Sequence, residues 1–251
     1  MPPLAADWAF LLDVDGTLLE IAADPRAVRV GPELRALLER LLCATQGAVA
    51  LISGRSVADV DRLFLPLGLP VAGQHGIERR SADGTLHLQA APVAHLARAA
   101  AELVQFAGAH AGLLFENKGM TLALHYRKAP ALRELAARKM RRLAKELGDG
   151  LELQAGKFVY ELKPSGIGKD AAIAEFMAEP PFAGRVPVFI GDDLTDEHGF
   201  DLVNRIGGHS VKVGSGETGA RWRTAGPTSV RRWLQRYASR FGGTRNPGKG
   251  P

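Results

Sequence analysis

The sequence has only one cysteine, Cys43, among its 251 residues, so no disulfide can form within the chain. Cys43 follows two leucines, and we expect it to be a small, buried hydrophobic residue in a reducing compartment. No uninterrupted apolar stretch approaches the roughly 18 residues of a membrane span. The N-terminal residues also lack the basic start and apolar core of a signal peptide. We therefore expect a soluble cytoplasmic protein with no membrane partner.

The chain also lacks a large excess of charge of either sign. Its 32 Lys and Arg residues against 27 Asp and Glu residues give a formal net charge of +5. This bias is compatible with phosphorylated small molecules but is weaker than the clustered basic face of a nucleic-acid-binding protein. A hydrophobic content of 46% supplies ample material for a core, and the length suits one large domain or two small ones. We therefore expect no nucleic-acid partner.

The most informative stretch is 10–20, where an apolar run ends in Asp13 and Asp15 and Gly16 lets the chain turn. In α/β proteins ligands collect at the carboxyl ends of parallel strands. Two carboxylates this close repel each other unless a cation lies between them or one keeps its proton. Mg2+ prefers such oxygen ligands. The pattern favours a metal-assisted Asp nucleophile with the second Asp as general acid and base, although Asp-Gly also occurs in solvated turns.

Strands and helices alternate in the first part of the chain. A helical stripe of apolar residues follows Pro32, and the apolar run 48–52 is typical of a buried strand that leads to Ser53. A strand, a helix and a second strand in this order imply a right-handed crossover and a parallel pair. Ser53 would therefore lie at the same sheet edge as Asp13.

The alternation returns near the end of the chain. A helix begins near Lys169, and an apolar strand leads to Asp192, Asp193 and Asp196. A helix N-terminus favours an anion, and a carboxylate cluster favours a hard cation. Together with the hydroxyl of Ser53, these groups predict phosphoryl transfer, in which catalysis is largely positioning and charge neutralisation.

The middle of the chain follows a different pattern, in the order helix, strand, strand, helix, strand, strand. This order is typical of an α+β module rather than of βαβ units. We predict an α/β core at 1–88 and 163–240, an inserted cap domain at 89–162 and a disordered tail at 241–251.

Polar side chains gather on one face of the predicted cap strands. A period of two places Glu161 and Lys163 on one face of their strand, and His125 and Arg127 on one face of theirs. Such residues could contact a substrate, or they could be the solvated face of an antiparallel sheet. The choice between these interpretations stays open on spacing alone.

Four motifs resemble those of the haloacid dehalogenase superfamily of phosphatases, and they lie at 13–17, Ser53, Lys169 and 191–193. A more specific resemblance is to the trehalose-6-phosphate phosphatases. It is carried by 52–55, 73–76, 116–118, 125–127, 161–169 and 191–197. The resemblance covers nearly the whole chain and implies a Rossmann-like core with a parallel sheet beneath the inserted cap. One departure is Asp170, where the family usually has Gly, but a helix tolerates either residue.

The resemblance implies a Mg2+-dependent phosphatase that converts trehalose 6-phosphate to trehalose and phosphate through an aspartyl-phosphate. Asp13 would attack phosphorus, while Asp15 would protonate the departing sugar oxygen and then deprotonate water. The metal would be bound by Asp13, the backbone carbonyl of Asp15 and Asp192, with Asp193 and Asp196 around it. We expect the phosphate to be bound by Ser53, Gly54, Lys169 and Thr17. We expect the sugar to be contacted by Glu116, Lys118, Glu161, Arg55, His75, Arg127 and Lys163.

Several alternatives stay open. The chain could be another capped phosphatase, acting on sucrose 6-phosphate or mannosyl-3-phosphoglycerate, or a phosphosugar-binding regulatory module without turnover. His75 could be a structural histidine instead of a substrate contact. The glycine-rich segment 214–219 fits a dinucleotide pattern, but the helix, strand and acidic residue that this pattern requires do not follow it. We expect a monomer whose partner is a small sugar phosphate.

Overall fold

The computed structural model describes residues 1–22, 28–89, 93–148 and 150–242. Most of the tail predicted to be disordered, 243–251, lies outside the described residues. In chain order the helices and strands are β1 (Trp8–Asp13), α1 (Pro32–Thr45), β2 (Val49–Ile52), α2 (Val57–Phe64), β3 (Val71–Gly73), β4 (Glu78–Arg80), β5 (Leu86–Leu88), α3 (Val93–Gly108), β6 (Leu114–Asn117), β7 (Leu122–His125), α4 (Arg133–Leu147), β8 (Leu151–Gly156), β9 (Val159–Pro164), α5 (Lys169–Met177), β10 (Val186–Gly191), α6 (Glu197–Arg205), β11 (His209–Val213), β12 (Trp222–Thr224) and α7 (Pro227–Phe241).

The larger sheet has eight strands in the order β12-β11-β10-β1-β2-β3-β4-β5. The strands from β12 to β3 pair in parallel, as predicted for an α/β core. The hairpin of β4 and β5 extends the sheet with antiparallel strands. Strand β1 lies between β10 and β2, so three strand ends with predicted functional groups are direct neighbours.

Helices cover both faces of the larger sheet, and strand β1 is buried along its whole length. Trp8, Phe10 and Leu12 pack with residues of α1, α2 and α7 on one face. Ala9 and Leu11 pack with residues of α5 and α6 on the other face. Burial on both faces explains why the parallel strands are continuous apolar runs without alternation.

The smaller sheet has four antiparallel strands in the order β6-β7-β9-β8. One face, which includes Leu122, Leu124 and Leu162, forms a separate hydrophobic core with α3 and α4. The other face carries Glu161, which contacts His75 of the loop after β3. The polar face of the smaller sheet therefore lies against the carboxyl edge of the larger one.

Two details differ from the sequence-based expectations. Cys43 is exposed, so the prediction of a buried cysteine is wrong. It follows Leu41, which is buried, by two residues, and two residues correspond to about half a helical turn, so Cys43 lies on the opposite side of α1. Strand β12 was not predicted, because the segment around Trp222 has no apolar alternation. Among the described residues no helix combines the length and apolar character needed to cross a membrane.

Candidate active site

The ends of three neighbouring parallel strands bring acidic and hydroxyl side chains together. Asp13 ends β1, Asp192 follows β10 and Ser53 follows β2. Because these strands run in the same direction, their carboxyl ends open at one edge of the sheet. All three side chains line one cavity of about 670 Å3 between the two sheets.

The turn after β1 depends on Gly16. Its φ of +91° lies in the left-handed region that favours glycine. A Cβ atom added at Gly16 would lie 2.1 Å from Oδ2 of Asp192, so a side chain there would displace this carboxylate. The backbone of the β1 turn therefore packs directly against the acidic loop after β10.

The buried centre of the site is an ionic cluster of three carboxylates and one ammonium group. Asp13, Asp192 and Asp196 each offer an oxygen within 4.8 Å of the others. Nζ of Lys169 donates hydrogen bonds to Oδ1 of Asp13 at 2.7 Å and to Oδ1 of Asp196 at 2.6 Å. Nζ of the exposed Lys157 lies 3.8 Å from Oδ2 of Asp192, so two ammonium groups face three carboxylates and an excess of negative charge remains.

Burial and the excess of negative charge both shift the pKa values of the cluster. Burial raises the pKa of Asp13 well above its ordinary value against the opposing effect of Lys169, and Asp196 and Asp192 raise it further. Burial, Asp196 and Asp193 raise the pKa of Asp192 to about 6. Burial alone would lower the pKa of Lys169, but Asp13 and Asp196 raise it above the usual lysine value, so the amine stays protonated. An additional cation would remove the repulsion that raises the carboxylate pKa values.

The arrangement of the cluster suits a hard divalent cation. Oδ2 of Asp13 is buried and accepts no hydrogen bond from any residue in the described part of the chain. Carboxylate oxygens are the ligands that Mg2+ prefers. Asp196, which the sequence predicted to lie outside the metal ligands, belongs to the same acidic group as Asp13 and Asp192. Two observations therefore support a divalent cation at this site. Oδ2 of Asp13 is a buried acceptor that receives no hydrogen bond from a described residue, and the atoms available to bind the cation are carboxylate oxygens.

The second aspartate of the first motif is held by an arginine. Nε of Arg55 donates to Oδ2 of Asp15 at 2.6 Å, and Nη2 donates to Oδ1 at 2.7 Å. A bidentate pair of this kind fixes the plane and direction of the carboxylate. Both residues line the cavity, but Arg55, which was predicted to contact sugar, is engaged with Asp15 in this structure.

The smaller sheet contributes most of the predicted sugar-contacting residues to the same cavity. Nζ of Lys118 lies 3.1 Å from Oε1 of Glu161, and Nε2 of His75 lies 3.1 Å from Oε2 of Glu161. Glu116 and His125 form a second pair, with 2.9 Å between Oε2 and Nε2, and this hydrogen bond lowers the pKa of Glu116. The sequence-predicted residues that line the cavity are Asp13, Asp15, Ser53, Gly54, Arg55, His75, Glu116, Lys118, His125, Arg127, Glu161, Lys169, Asp192 and Asp193.

Three predicted site residues are not among the described residues that line the cavity, namely Thr17, Lys163 and Asp196. Asp196 is buried behind it, in contact with Lys169. Thr17 is fully buried within the turn in which the amides of Leu18 and Leu19 donate to the carbonyl of Val14. Lys163 lies near the end of β9, where its Nζ is 2.9 Å from Oε1 of the cross-strand residue Glu152. Neither Thr17 nor Lys163 lines the cavity, and the buried hydroxyl of Thr17 has no hydrogen-bond partner among the described residues.

Other polar residues at the site were not identified from the sequence. Lys157, in the turn between β8 and β9, lines the cavity, and its backbone amide donates to Oδ2 of Asp193 at 3.1 Å. Nζ of Lys212 donates to the carbonyl of Asp192 at 2.8 Å. A lysine inside the apolar strand β11 was the one signal that could have revealed Lys212. No periodicity marks Lys157, because it lies in a turn.

Comparisons with known proteins agree with this arrangement. Residues 11–232 match the family model for trehalose-phosphatases. The trehalose-6-phosphate phosphatase of Escherichia coli (strain K12) is 45% identical over 234 residues, which cover 93% of this chain and 88% of that protein. A probable trehalose-phosphate phosphatase of Sinorhizobium fredii is 45% identical over 208 residues, or 83% of this chain and 78% of that protein. The C-terminal domain of a C. albicans trehalose-6-phosphate phosphatase superposes with a TM-score of 0.83 at 25% identity, covering 93% of this chain and 92% of that one.

The close contact of Gly16 with Asp192 leads to a prediction about metal affinity. Gly16→Ala would displace the Asp192 carboxylate, and we expect Mg2+ binding to weaken by about tenfold or more, measured by isothermal titration calorimetry. Gly84→Ala is the matched control, because Gly84 has a similar φ of +88° and no described atom lies within 4 Å of the place that its Cβ would take. Equal Mg2+ affinity in both variants would contradict the placement of Asp192 at a cation site.

Proposed function

The chain belongs to the trehalose-phosphatase family, and we propose that it hydrolyses trehalose 6-phosphate with Mg2+ through an aspartyl-phosphate intermediate. Relatives at 45% identity over most of the chain are named as phosphatases of this ester, so the chain is a phosphoric monoester hydrolase. The observation that carries the mechanism is the buried contact of Lys169 with Asp13 and Asp196 beside Asp192. This arrangement supplies a nucleophile and the charges that a transferring phosphoryl group needs.

Asp13, Asp192 and the backbone carbonyl of Asp15 would bind the cation, with Asp193 and Asp196 close to it. When bound, Mg2+ would supply the positive charge that keeps the carboxylates ionised and that stabilises negative charge on the phosphoryl oxygens. Lys169 is protonated and buried beside Asp13, so its ammonium group can bind an oxygen of a phosphoryl group that Asp13 attacks. Ser53 and Gly54 line the same end of the cavity and would bind further phosphate oxygens.

The two aspartates of the first motif would divide the chemistry. The Asp13 carboxylate attacks phosphorus, and the bond between phosphorus and the sugar oxygen breaks while Asp15 donates a proton to that oxygen. Asp15 then takes a proton from a water molecule, which attacks the phosphorus of the aspartyl-phosphate and releases inorganic phosphate and free Asp13. Arg55 binds both oxygens of Asp15, so one oxygen would leave this bidentate contact when Asp15 carries the proton, while the other would stay held by Arg55.

The smaller sheet would act as a cap that reads the sugar. Its polar face contributes Glu116, Lys118, His125 and Glu161 to the cavity above Asp13. A volume of about 670 Å3 is within the range of small-molecule sites and suits a ligand larger than a phosphate ion. We propose that 89–162 is the cap domain and that 1–88 and 163–240 form the core. A monomeric, cytoplasmic enzyme is part of the same proposal.

The substrate is tested by the release of phosphate from a panel of sugar phosphates. We expect kcat/KM for trehalose 6-phosphate to exceed that for glucose 6-phosphate by about 100-fold or more, because polar cap groups that bind the second glucose would stay unpaired with a monosaccharide. Sucrose 6-phosphate, a second disaccharide phosphate, and mannosyl-3-phosphoglycerate, a glycosylated phosphoglycerate, belong in the panel as competing substrates. Comparable kcat/KM values for trehalose 6-phosphate and glucose 6-phosphate would refute the disaccharide specificity and leave a general sugar phosphatase.

The nucleophile is tested by Asp13→Asn, which preserves shape but removes the attacking carboxylate. We expect phosphate release to fall by at least about 1000-fold, because no aspartyl-phosphate can form. Thermal unfolding of the variant shows whether the fold is intact. Asp201→Asn, at an exposed position of α6, is the control for the loss of one carboxylate. Residual activity within about tenfold of the wild type would exclude Asp13 as the nucleophile.

A further inference from the structure

The contact between the two sheets is centred on the buried carboxylate of Glu161, which is 4% exposed. Two donors come from the smaller sheet, namely Nζ of Lys118, at 3.1 and 3.2 Å from the two oxygens, and the hydroxyl of Thr121. The third donor is His75, which belongs to the larger sheet and lies 3.1 Å from Oε2. Each carboxylate oxygen therefore accepts two hydrogen bonds, which uses about all the acceptor sites that a carboxylate has.

The imidazole of His75 is placed to donate a hydrogen bond to the Glu161 carboxylate. Burial lowers the pKa of His75, against the opposing effect of Glu161, so the ring is neutral. A neutral ring facing a carboxylate has to carry its proton on Nε2 and donate it to Glu161. Nδ1 is buried and has no hydrogen-bond partner among the described residues. Glu161 is thus the polar group to which this ring is directed.

The backbone around His75 is strained in a way that supports this orientation. Gln74 and His75 have φ values of +47° and +60°, in the left-handed region that non-glycine residues rarely adopt. Gly54 makes room for the ring, since a Cβ atom there would lie 2.8 Å from Nε2 of His75. The carbonyl of Gly54 also accepts a hydrogen bond from Lys118 at 2.9 Å. Such strain tends to persist at functional positions, where the surrounding structure enforces it.

We propose that His75 and the carbonyl of Gly54 form a docking platform on the core for the Lys118–Glu161 pair of the cap. In this arrangement His75 is a positioning residue for sugar recognition and does not itself contact the sugar. The inference rests on the proposed hydrolysis of trehalose 6-phosphate. It implies that the cap can read the sugar only when it is seated on the core, which couples specificity to closure.

The platform also indicates how the sugar is admitted. Because the acceptor sites of Glu161 are filled, a sugar hydroxyl that binds Glu161 must replace one of the present donors. Lys118 binds the Gly54 carbonyl as well as both oxygens of Glu161, so it can give up an oxygen of Glu161 to a sugar hydroxyl and still be held on the core. His75 and Thr121 would meanwhile keep Glu161 in place.

His75→Phe tests the platform, because it keeps a ring of similar size and removes the donor. We expect KM for trehalose 6-phosphate to rise by about tenfold or more, with kcat within about threefold of the wild type. The inhibition constant of inorganic phosphate should stay unchanged, because phosphate binds to the core. Hydrogen exchange at the amides of β7 and β9 should become faster. His75→Asn, which tolerates the left-handed backbone and keeps an N–H donor, should recover part of the lost affinity.

The control is His209→Phe, since His209 packs on Trp8 with 5.2 Å between ring centroids and is not a cavity-lining residue in the described chain. It should leave both KM and hydrogen exchange at β7 and β9 as in the wild type. The platform would be overturned if His75→Phe lowered kcat, raised KM and weakened inhibition by phosphate together. It would also be overturned if His75→Phe changed neither KM nor hydrogen exchange. Failure of the wild type to hydrolyse trehalose 6-phosphate would refute the proposed function instead, and the exchange measurement would still test the docking.

Discussion

Lys169 lies between Asp13 and Asp196 in the buried centre of the site, and the rest of the arrangement follows from this contact. The three residues come from the start of α5, the end of β1 and the segment after β10, so their ionic contact fixes three distant parts of the chain. Lys169 and the more distant Lys157 cannot balance the nearby carboxylates, which also include Asp192. Burial, and then the neighbouring carboxylates, raise the pKa values of Asp13 and Asp192, and a divalent cation would offset the repulsion among these carboxylates.

We propose that the sugar is recognised at the contact between the two sheets. The large sheet supplies the charged end of the cavity, while the small sheet supplies Glu116, Lys118 and Glu161. The buried charge of Glu161 is stabilised partly by its own sheet and partly by His75 of the other. Burying a carboxylate without hydrogen-bond donors costs free energy. Separation of the sheets would therefore weaken the hydrogen bonding of Glu161 and alter the shape of the proposed sugar site.

Much of the catalytic edge could be predicted from the sequence, because parallel strands bring their carboxyl ends together whatever lies between them. Asp13, Ser53 and Asp192 follow from that rule alone. The extent of the cavity along a strand does not follow from it. A period of two placed Lys163 on the face of Glu161, but the cavity ends before Lys163, and Glu152 binds it instead. Contacts made across the two sheets, such as those of Lys157 and His75, depend on tertiary placement that no local pattern encodes.

The proposed mechanism requires that Asp13 receive the phosphoryl group beside a cation bound by Asp13 and Asp192. A crystal structure of the protein with Mg2+ and beryllium fluoride, which mimics a phosphoryl group on a carboxylate, tests this requirement. We expect a beryllofluoride bonded to the Asp13 carboxylate, a cation in contact with Asp13 and Asp192, and the Lys169 ammonium against the fluorides. Beryllofluoride bound to another residue, or a cation that contacts neither Asp13 nor Asp192, would contradict the proposed mechanism.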